Sequence, residues 1–134
     1  MSIKLLTAAD LMTPNPIMIA PSETLRAAGL IMSQQKLHCL LVPGSGGRSI
    51  GVITSKDIVQ ILCDGEEELL DQLHVSDAYS TPAVSVQEGF LIVDCLRLMR
   101  MSGVRSVPVM RGLTPVGILS FTDVLHATVH KDGS

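Results

Sequence analysis

Two similar stretches of the sequence, GVITSKD (Gly51 to Asp57) and GILSFTD (Gly117 to Asp123), end an apolar run in hydroxyl and carboxylate side chains. In each stretch a hydroxyl residue, Thr54 or Ser120, stands three positions before the aspartate. Where a strand gives way to a helix, exposed N–H groups and the helix dipole favour a phosphate. The hydroxyl would add one more donor, and the aspartate could accept both hydroxyls of a ribose. The spacing therefore indicates contact with a nucleotide.

A second interpretation of these side chains is local, because Ser55, Asp57, Thr122 and Asp123 are of the types that cap helix N-termini. The same spacing of hydroxyl and carboxylate in both stretches favours ligand contact over capping alone. Phe121, which takes the position of Ser55 in the second stretch, could stack on a base or cap the core, and the core is the favoured interpretation.

The two stretches belong to an internal duplication that runs through the whole chain. When the sequence is aligned with itself, Asp10 falls on Asp77 and Met32 falls on Met99. A one-residue deletion in the loop PGSGGRS then brings Gly51 onto Gly117. Insertions are best tolerated in a turn of this kind. We therefore expect two copies, at 8–63 and 74–129, joined by a linker at 64–73.

Each copy predicts the same order of elements. A helical turn and a proline-marked turn lead to a short strand, IMI or VSV, and then to an amphipathic helix at Thr24 to Gln35 or Leu91 to Met101. A two-stranded hairpin and a closing helix follow, and PGSGGR and MRGLT form the hairpin turns. One such β-α-β-β-α unit cannot cover both faces of its sheet. We expect an α/β (α+β) fold in which two repeats pack sheet to sheet with pseudo-twofold symmetry and two clefts between them.

The composition limits the class of partner. The 134 residues are 46% hydrophobic with three aromatic side chains, so the core must be aliphatic, and the net charge of −3 argues against nucleic acid. The sequence shows neither a membrane span nor a signal peptide. Three cysteines without CxxC spacing (Cys39, Cys63 and Cys95) indicate reduced thiols, so we expect a cytoplasmic protein. Cys63 and Cys95 are expected to face the core.

The opening DLMTPNPIMIAPSETL, the middle GVRSVPV and both endings resemble the cystathionine-β-synthase (CBS) domain family. The duplication resembles the tandem pair called a Bateman module, over about residues 8 to 128. One departure is Leu41, which stands where the second copy has Pro108 and the family usually has proline. The resemblance implies a regulatory module that senses an adenosine-containing nucleotide (AMP, ADP, ATP or S-adenosylmethionine). It also implies a homodimer and a regulated enzyme or transporter as partner. A structural or dimerisation module without a nucleotide is the alternative.

In the family, each cleft combines the ending of one copy with the early strand and middle loop of the other. Carried over, the first ligand site would contain Val52, Thr54, Lys56 and Asp57 with Ser80, Val84, Ser85, Val104, Arg105 and Ser106. The second would contain Ile118, Ser120, Thr122 and Asp123 with Thr13, Ile17, Met18, Leu37, His38 and Cys39. Only the first set holds two cations suited to phosphate. We therefore expect tighter phosphate binding at the Asp57 site.

Other constellations predict little chemistry. His126 and His130 have the i, i+4 spacing of metal ligands, with Asp132 nearby, but a solvated helix end is the favoured interpretation. No nucleophile, base and oxyanion pocket assemble. We therefore predict no catalytic residue, no metal site and no cofactor beyond a regulatory nucleotide, and we expect that the protein is not an enzyme.

Overall fold

Each repeat begins with an opening segment, which ends at Pro16 in the first repeat and at Ala83 in the second. Each opening segment folds with the closing strand of the other repeat. A computed structural model describes residues 2–44 and 49–130, so part of the predicted turn PGSGGR, and Asp132, lie outside the described residues. The chain divides into two units. The terminal unit joins the residues up to Pro16 to those from Val84, and the central unit spans Ile17–Ala83. The division therefore falls after each opening segment and not at the linker.

The helices and strands alternate as the sequence predicts for a mixed α and β chain. In chain order they are α1 Ala8–Leu11, β1 Thr13–Pro14, α2 Leu25–Gln35, β2 Cys39–Val42, β3 Gly51–Thr54, α3 Ser55–Asp64, α4 Leu69–Gln72, β4 Val86–Gln87, α5 Ile92–Ser102, β5 Ser106–Arg111, β6 Thr114–Ser120 and α6 Phe121–Val129, with 3₁₀ turns at Ile3–Leu5 and Val75–Asp77. The fold class is α+β, as expected. Among the described residues, no helix combines the length and apolarity that crossing a bilayer requires.

The terminal unit contains a four-stranded sheet in the order β1-β6-β5-β4. Strand β6 runs antiparallel to both neighbours, and β4 runs parallel to β5. Thr13 in the opening segment is opposite Ile118 in β6. The closing strand of the second repeat is therefore completed by the opening segment of the first.

The central unit repeats this arrangement with shorter pairings. Strands β2 and β3 form an antiparallel hairpin. Met18 makes a single parallel bridge to Leu41, and Ser80 makes a single antiparallel bridge to Val52. The predicted strand IMI is therefore reduced to one bridge. Ser80 and Val52 are the sequence equivalents of Thr13 and Ile118, so the same pairing occurs in both units.

Each unit has its own aliphatic core, and the two cores use equivalent positions. The fully buried residues include Leu25, Leu40 and Ile53 in the central unit and their equivalents Ile92, Val107 and Leu119 in the terminal unit. The side chains of α2 and α5 alternate inward at helical spacing, so the apolar stripe predicted from the sequence is the buried face. Burial of these stripes is what holds the strand endings in place.

Two expectations about single side chains are wrong. Cys63 is exposed, whereas Cys39 and Cys95 are buried. The buried face of α3 is set by Ile58, and a residue five positions later lies about 140° around the helix. Phe121, the first residue of α6, is 42% exposed and therefore does not cap the core.

Gly51 and Gly117 allow the opening segments to pair closely with the closing strands. A Cβ at Gly51 would lie 2.8 Å from the carbonyl oxygen of Ser80, and one at Gly117 would lie 2.8 Å from that of Thr13. These two obstacles are backbone atoms, which cannot rotate away as a side chain does, and the side chains of Tyr79 and Met12 lie closer still, at 2.5 Å from the added Cβ of Gly51 and Gly117 respectively. Glycine is therefore required at the first position of both motifs.

We expect Gly51→Ala and Gly117→Ala each to lower the free energy of unfolding by about 1–3 kcal/mol, because overpacking forces a backbone shift. Urea denaturation measures the change. Gly89→Ala is the matched control, since no atom lies within 4 Å of its added Cβ. An effect at Gly117 no larger than that at Gly89 would contradict the role of close pairing.

Thiol labelling separates the buried from the exposed cysteines. Burial raises the pKa of Cys95 to about 11, so its thiol stays protonated and inert at pH 8. We expect iodoacetamide to modify Cys63 in the folded protein and all three cysteines in urea, as determined by mass spectrometry. Equal labelling of Cys63 and Cys95 in the folded chain would refute this assignment.

Candidate functional site

The ending of the first repeat is a capping box at the start of α3. The Oγ1 of Thr54 accepts a hydrogen bond from the backbone N–H of Asp57 at 3.2 Å. In return, Asp57 Oδ2 accepts from the Thr54 backbone N–H at 2.8 Å and from the Thr54 hydroxyl at 2.9 Å. Both residues are partly buried. The two side chains singled out from the sequence are therefore bonded to each other.

The ending of the second repeat has the same box at the start of α6. Asp123 Oδ2 accepts from the Ser120 backbone N–H and from the Ser120 hydroxyl, both at 2.9 Å. The Ser120 Oγ accepts from the Asp123 N–H at 3.2 Å and lies 2.8 Å from the hydroxyl of Thr122. The duplication thus extends to individual hydrogen bonds.

The capping interpretation was right about the type of interaction but wrong about two of its residues. The N-caps are Thr54 and Ser120, and the two aspartates close the boxes from the third helical position. Ser55 and Thr122 lie inside the helices as their first and second residues. Capping and ligand contact are not exclusive, because a carboxylate that caps with one oxygen still has the other oxygen to offer.

The middle loops, which include His38 and Arg105, cover the first N–H of each closing helix. The Ser55 N–H donates to the carbonyl of His38 at 2.8 Å, and the Phe121 N–H donates to the carbonyl of Arg105 at 3.0 Å. With the third N–H taken by the cap, the second N–H in α3 is that of Lys56. Among the described residues, no loop carbonyl or side chain accepts from it.

The opening segments bring one further predicted residue to each ending. Thr13 Oγ1 donates to Asp123 Oδ1 at 3.1 Å. Ser80 contacts its ending through backbone bonds alone, exchanging two hydrogen bonds of 2.9 Å with Val52. Part of each predicted set is therefore assembled within one unit.

The remaining members of each predicted set belong to the other unit. For the first set these are Val84, Ser85, Val104, Arg105 and Ser106, and for the second they are Ile17, Met18, Leu37, His38 and Cys39. Their combination with the endings stays a prediction. Lys56, Arg105 and His38 are exposed and therefore accessible to a ligand. Cys39 is buried, at 7% exposure.

A groove of about 410 Å³ lies between α2 and α3, and most of its lining residues were not predicted from the sequence as site residues. Its lining is Gly29, Met32, Ser33, Lys36, Leu37, His38, Ser55, Ile58 and Val59. The four members from Gly29 to Lys36 follow helical spacing, which is the signal that would have indicated a shared face of α2 and its C-cap. The groove adjoins Ser55 at the start of α3.

The two histidines at the end of α6 are in ring contact. The rings of His126 and His130 have centroids 4.3 Å apart. Within residues 2–44 and 49–130, no three His, Cys, Asp or Glu side chains form a group that could hold a metal ion.

Comparison with known proteins supports this architecture. The chain is 24% identical over 108 residues to protein MK0525 of Methanopyrus kandleri, covering 79% of this chain and 54% of that protein. It is 27% identical over 116 residues to the CBS domain-containing protein YhcV of Bacillus subtilis, covering 86% and 80%. The chain therefore spans about half the length of the first relative and most of the second.

Solved structures share the fold over nearly the whole chain. A hexameric CBS-CP12 protein from bloom-forming cyanobacteria has a TM-score of 0.87 at 28% identity, covering 96% of this chain and 71% of that one. The CBS domain pair of MJ0100 in complex with 5′-methylthioadenosine and S-adenosyl-L-methionine has a TM-score of 0.82 at 19% identity, covering 95% and 98%. CBSX2 in complex with AMP has a TM-score of 0.76 at 22% identity, covering 95% and 98%.

The description of the CBS domain family matches the chain twice, at residues 8–64 and 75–130. The two matches together cover most of the chain, and the neighbouring structures include CBS domain pairs. The chain belongs to the CBS domain family and carries its domains as a tandem pair.

Proposed function

We propose that this tandem pair is a regulatory module that binds an adenosine-containing nucleotide: AMP, ADP, ATP or S-adenosylmethionine. The observation that carries the proposal is the capping box of the first ending, in which Asp57 at a helix N-terminus retains an oxygen beyond the cap. A ribose hydroxyl can donate to that oxygen without breaking the cap. The proposal therefore requires no rearrangement of α3.

The start of α3 also has groups suited to a phosphate. The Lys56 N–H lies in the first helical turn, where backbone donors and the helix dipole favour an anion. The Lys56 side chain is exposed at the same turn and adds a positive charge. A nucleotide that places its ribose on Asp57 would therefore find a phosphate donor one residue earlier. Ser80 and the terminal-unit residues Val84, Ser85, Val104, Arg105 and Ser106 remain predicted contributors.

Related structures support the ligand class. Adenosine-containing ligands occupy the CBS pair of MJ0100 and CBSX2, two neighbours whose fold this chain shares. In the regulatory mechanism that we propose, the ligand binds one conformation of the chain better than another and so shifts the population between them. The partner that responds would be an enzyme or a transporter, and the module itself would be cytoplasmic.

Assembly of copies is the second proposed role, because apolar side chains on the helices are accessible. Leu30 on α2, Val59 on α3 and Leu125 on α6 are 56%, 54% and 62% exposed. Exposed apolar helix faces favour association into a homodimer. If no adenine nucleotide stabilises the chain at millimolar concentration, this structural role is favoured over sensing.

Thermal shift with AMP, ADP, ATP and S-adenosylmethionine tests the main proposal. A ligand at a hundred times its Kd stabilises the folded state by about 2.7 kcal/mol. We expect Thr54→Ala and Asp57→Ala to weaken binding at the first ending about 10- to 100-fold, since a hydrogen bond to a charged group contributes about 1.5–3 kcal/mol.

The matched controls are Thr7→Ala and Asp10→Ala, which remove a capping box of the same chemistry at the start of α1. All four variants lose a cap and should lose about 1 kcal/mol of stability. Only Thr54→Ala and Asp57→Ala should lose the response to ligand. Equal responses in the two pairs would show that the first ending caps its helix and does nothing more.

Lys56→Gln tests the phosphate contact separately from the ribose contact. We expect the variant to weaken AMP about three- to tenfold and to leave adenosine unchanged, because an exposed ammonium contributes modestly and only to the charged group. Isothermal titration at low and high salt measures both ligands. Lys4→Gln, also exposed, is the control. An equal loss for AMP and adenosine would contradict a phosphate role for Lys56.

A further inference from the structure

The two endings differ in how many of their hydrogen-bond acceptors are already used. Both aspartates accept two bonds at Oδ2 from their own capping box. At Asp123 the second oxygen, Oδ1, also accepts from the Thr13 hydroxyl. Among residues 2–44 and 49–130, no donor reaches Oδ1 of Asp57. The duplicated boxes are thus unequal at one atom.

The residues responsible for the difference occupy equivalent positions. Thr13 is opposite Ile118, and Ser80 is opposite Val52, in the same antiparallel pairing. Threonine is branched at Cβ, which restricts its χ1 more than that of serine. The Thr13 hydroxyl bonds Asp123, whereas the Ser80 hydroxyl makes no bond to Asp57. The occupied oxygen therefore coincides with a Thr/Ser difference at this one position.

The number of free acceptor sites on each aspartate determines how many hydrogen bonds a ligand can donate to it. An ionised carboxylate has about four acceptor sites, two on each oxygen. The capping box uses two of them in each repeat, which leaves two at Asp57 and one at Asp123 once Thr13 is bound. A ribose cis-diol donates two hydrogen bonds. Asp57 can accept both, whereas Asp123 can accept only one.

The second residue of the helix also differs between the two endings, and this difference also favours binding at the first ending. Thr122 lies 2.8 Å from the Ser120 hydroxyl, so two polar groups of the second ending satisfy each other. The first ending has Lys56 at that position, with an exposed ammonium. The second ending is therefore satisfied by its own groups, and the first ending keeps groups for a ligand.

We propose that Thr13 determines which ending binds: it occupies the Asp123 carboxylate, so the chain takes one nucleotide ribose, at Asp57. This inference rests on the proposed function, and it adds a named residue and a stoichiometry. Asp123 then has a structural role, in which it connects the opening segment to the start of α6.

The test compares the stoichiometry of binding in Thr13→Val, which removes the donor and keeps the shape, with that of the unsubstituted chain. AMP, ADP, ATP and S-adenosylmethionine are titrated by calorimetry in parallel. We expect one nucleotide per unsubstituted chain, lost in Asp57→Asn and kept in Asp123→Asn. We expect two per Thr13→Val chain, the second lost again when Asp123→Asn is added. Thr114→Val, an exposed threonine of the same unit, is the control for the chemical change.

Two sites of equal affinity in the unsubstituted chain, a single site lost in Asp123→Asn, or one site in Thr13→Val would each overturn the inference while leaving the proposed function standing. Absence of binding in every variant would refute the proposed function and the assigned stoichiometry together. The Thr13–Asp123 bond is then judged by melting temperature, where Thr13→Val and Asp123→Asn should be non-additive. Additive shifts would show that the bond does not form.

Discussion

The antiparallel pairing between each opening segment and the closing strand of the other repeat is the interaction on which the rest of the structure depends. It completes the sheet at β6, brings Thr13 to Asp123, and brings Ser80 to Val52. It is possible only because Gly51 and Gly117 leave room for a carbonyl oxygen. The glycine at the start of each motif therefore leaves room for the opening segment, and the aspartate at its end closes the capping box of the helix that follows.

The capping boxes explain why one pair of side chains can serve both stability and binding. A helix N-terminus presents donors that lack partners within the helix, and a hydroxyl with a carboxylate satisfies two of them. The carboxylate uses one oxygen, Oδ2, for capping, and its second oxygen, Oδ1, is not part of the capping box. A box is thus already arranged for a hydroxyl donor, and a ligand has little ordering to do when it binds. What distinguishes the two repeats is how far their own side chains use that second oxygen.

Much of the fold could be predicted because the apolar residues recur at helical spacing and because the sequence contains an internal duplication. The apolar spacing of α2 and α5 and the capping chemistry at the starts of α3 and α6 are local signals that each occur in two copies, although the N-caps are Thr54 and Ser120 and not the residues named from the sequence. No local signal predicts the exchange of opening segments, because β1 has two residues and pairs with a strand more than a hundred positions later. The family resemblance alone placed Thr13 in one set with Asp123, and their direct hydrogen bond was not predicted. Cys63 was misplaced because one helical face was assumed for a residue beyond the last inward position.

The pairing of each opening segment with the other repeat also affects the order in which the chain can fold during its synthesis. The central unit is one continuous segment, residues 17–83, so it can begin to fold as soon as that length has left the ribosome. The opening segment up to Pro16 must wait, since its partner strand β6 is synthesised more than a hundred residues later. Until then the short strand β1 has an unpaired edge, and its brevity and its proline limit the opportunity for wrong partners. A two-residue strand is a weak element in the folded protein, but it is a safe one to leave exposed during synthesis.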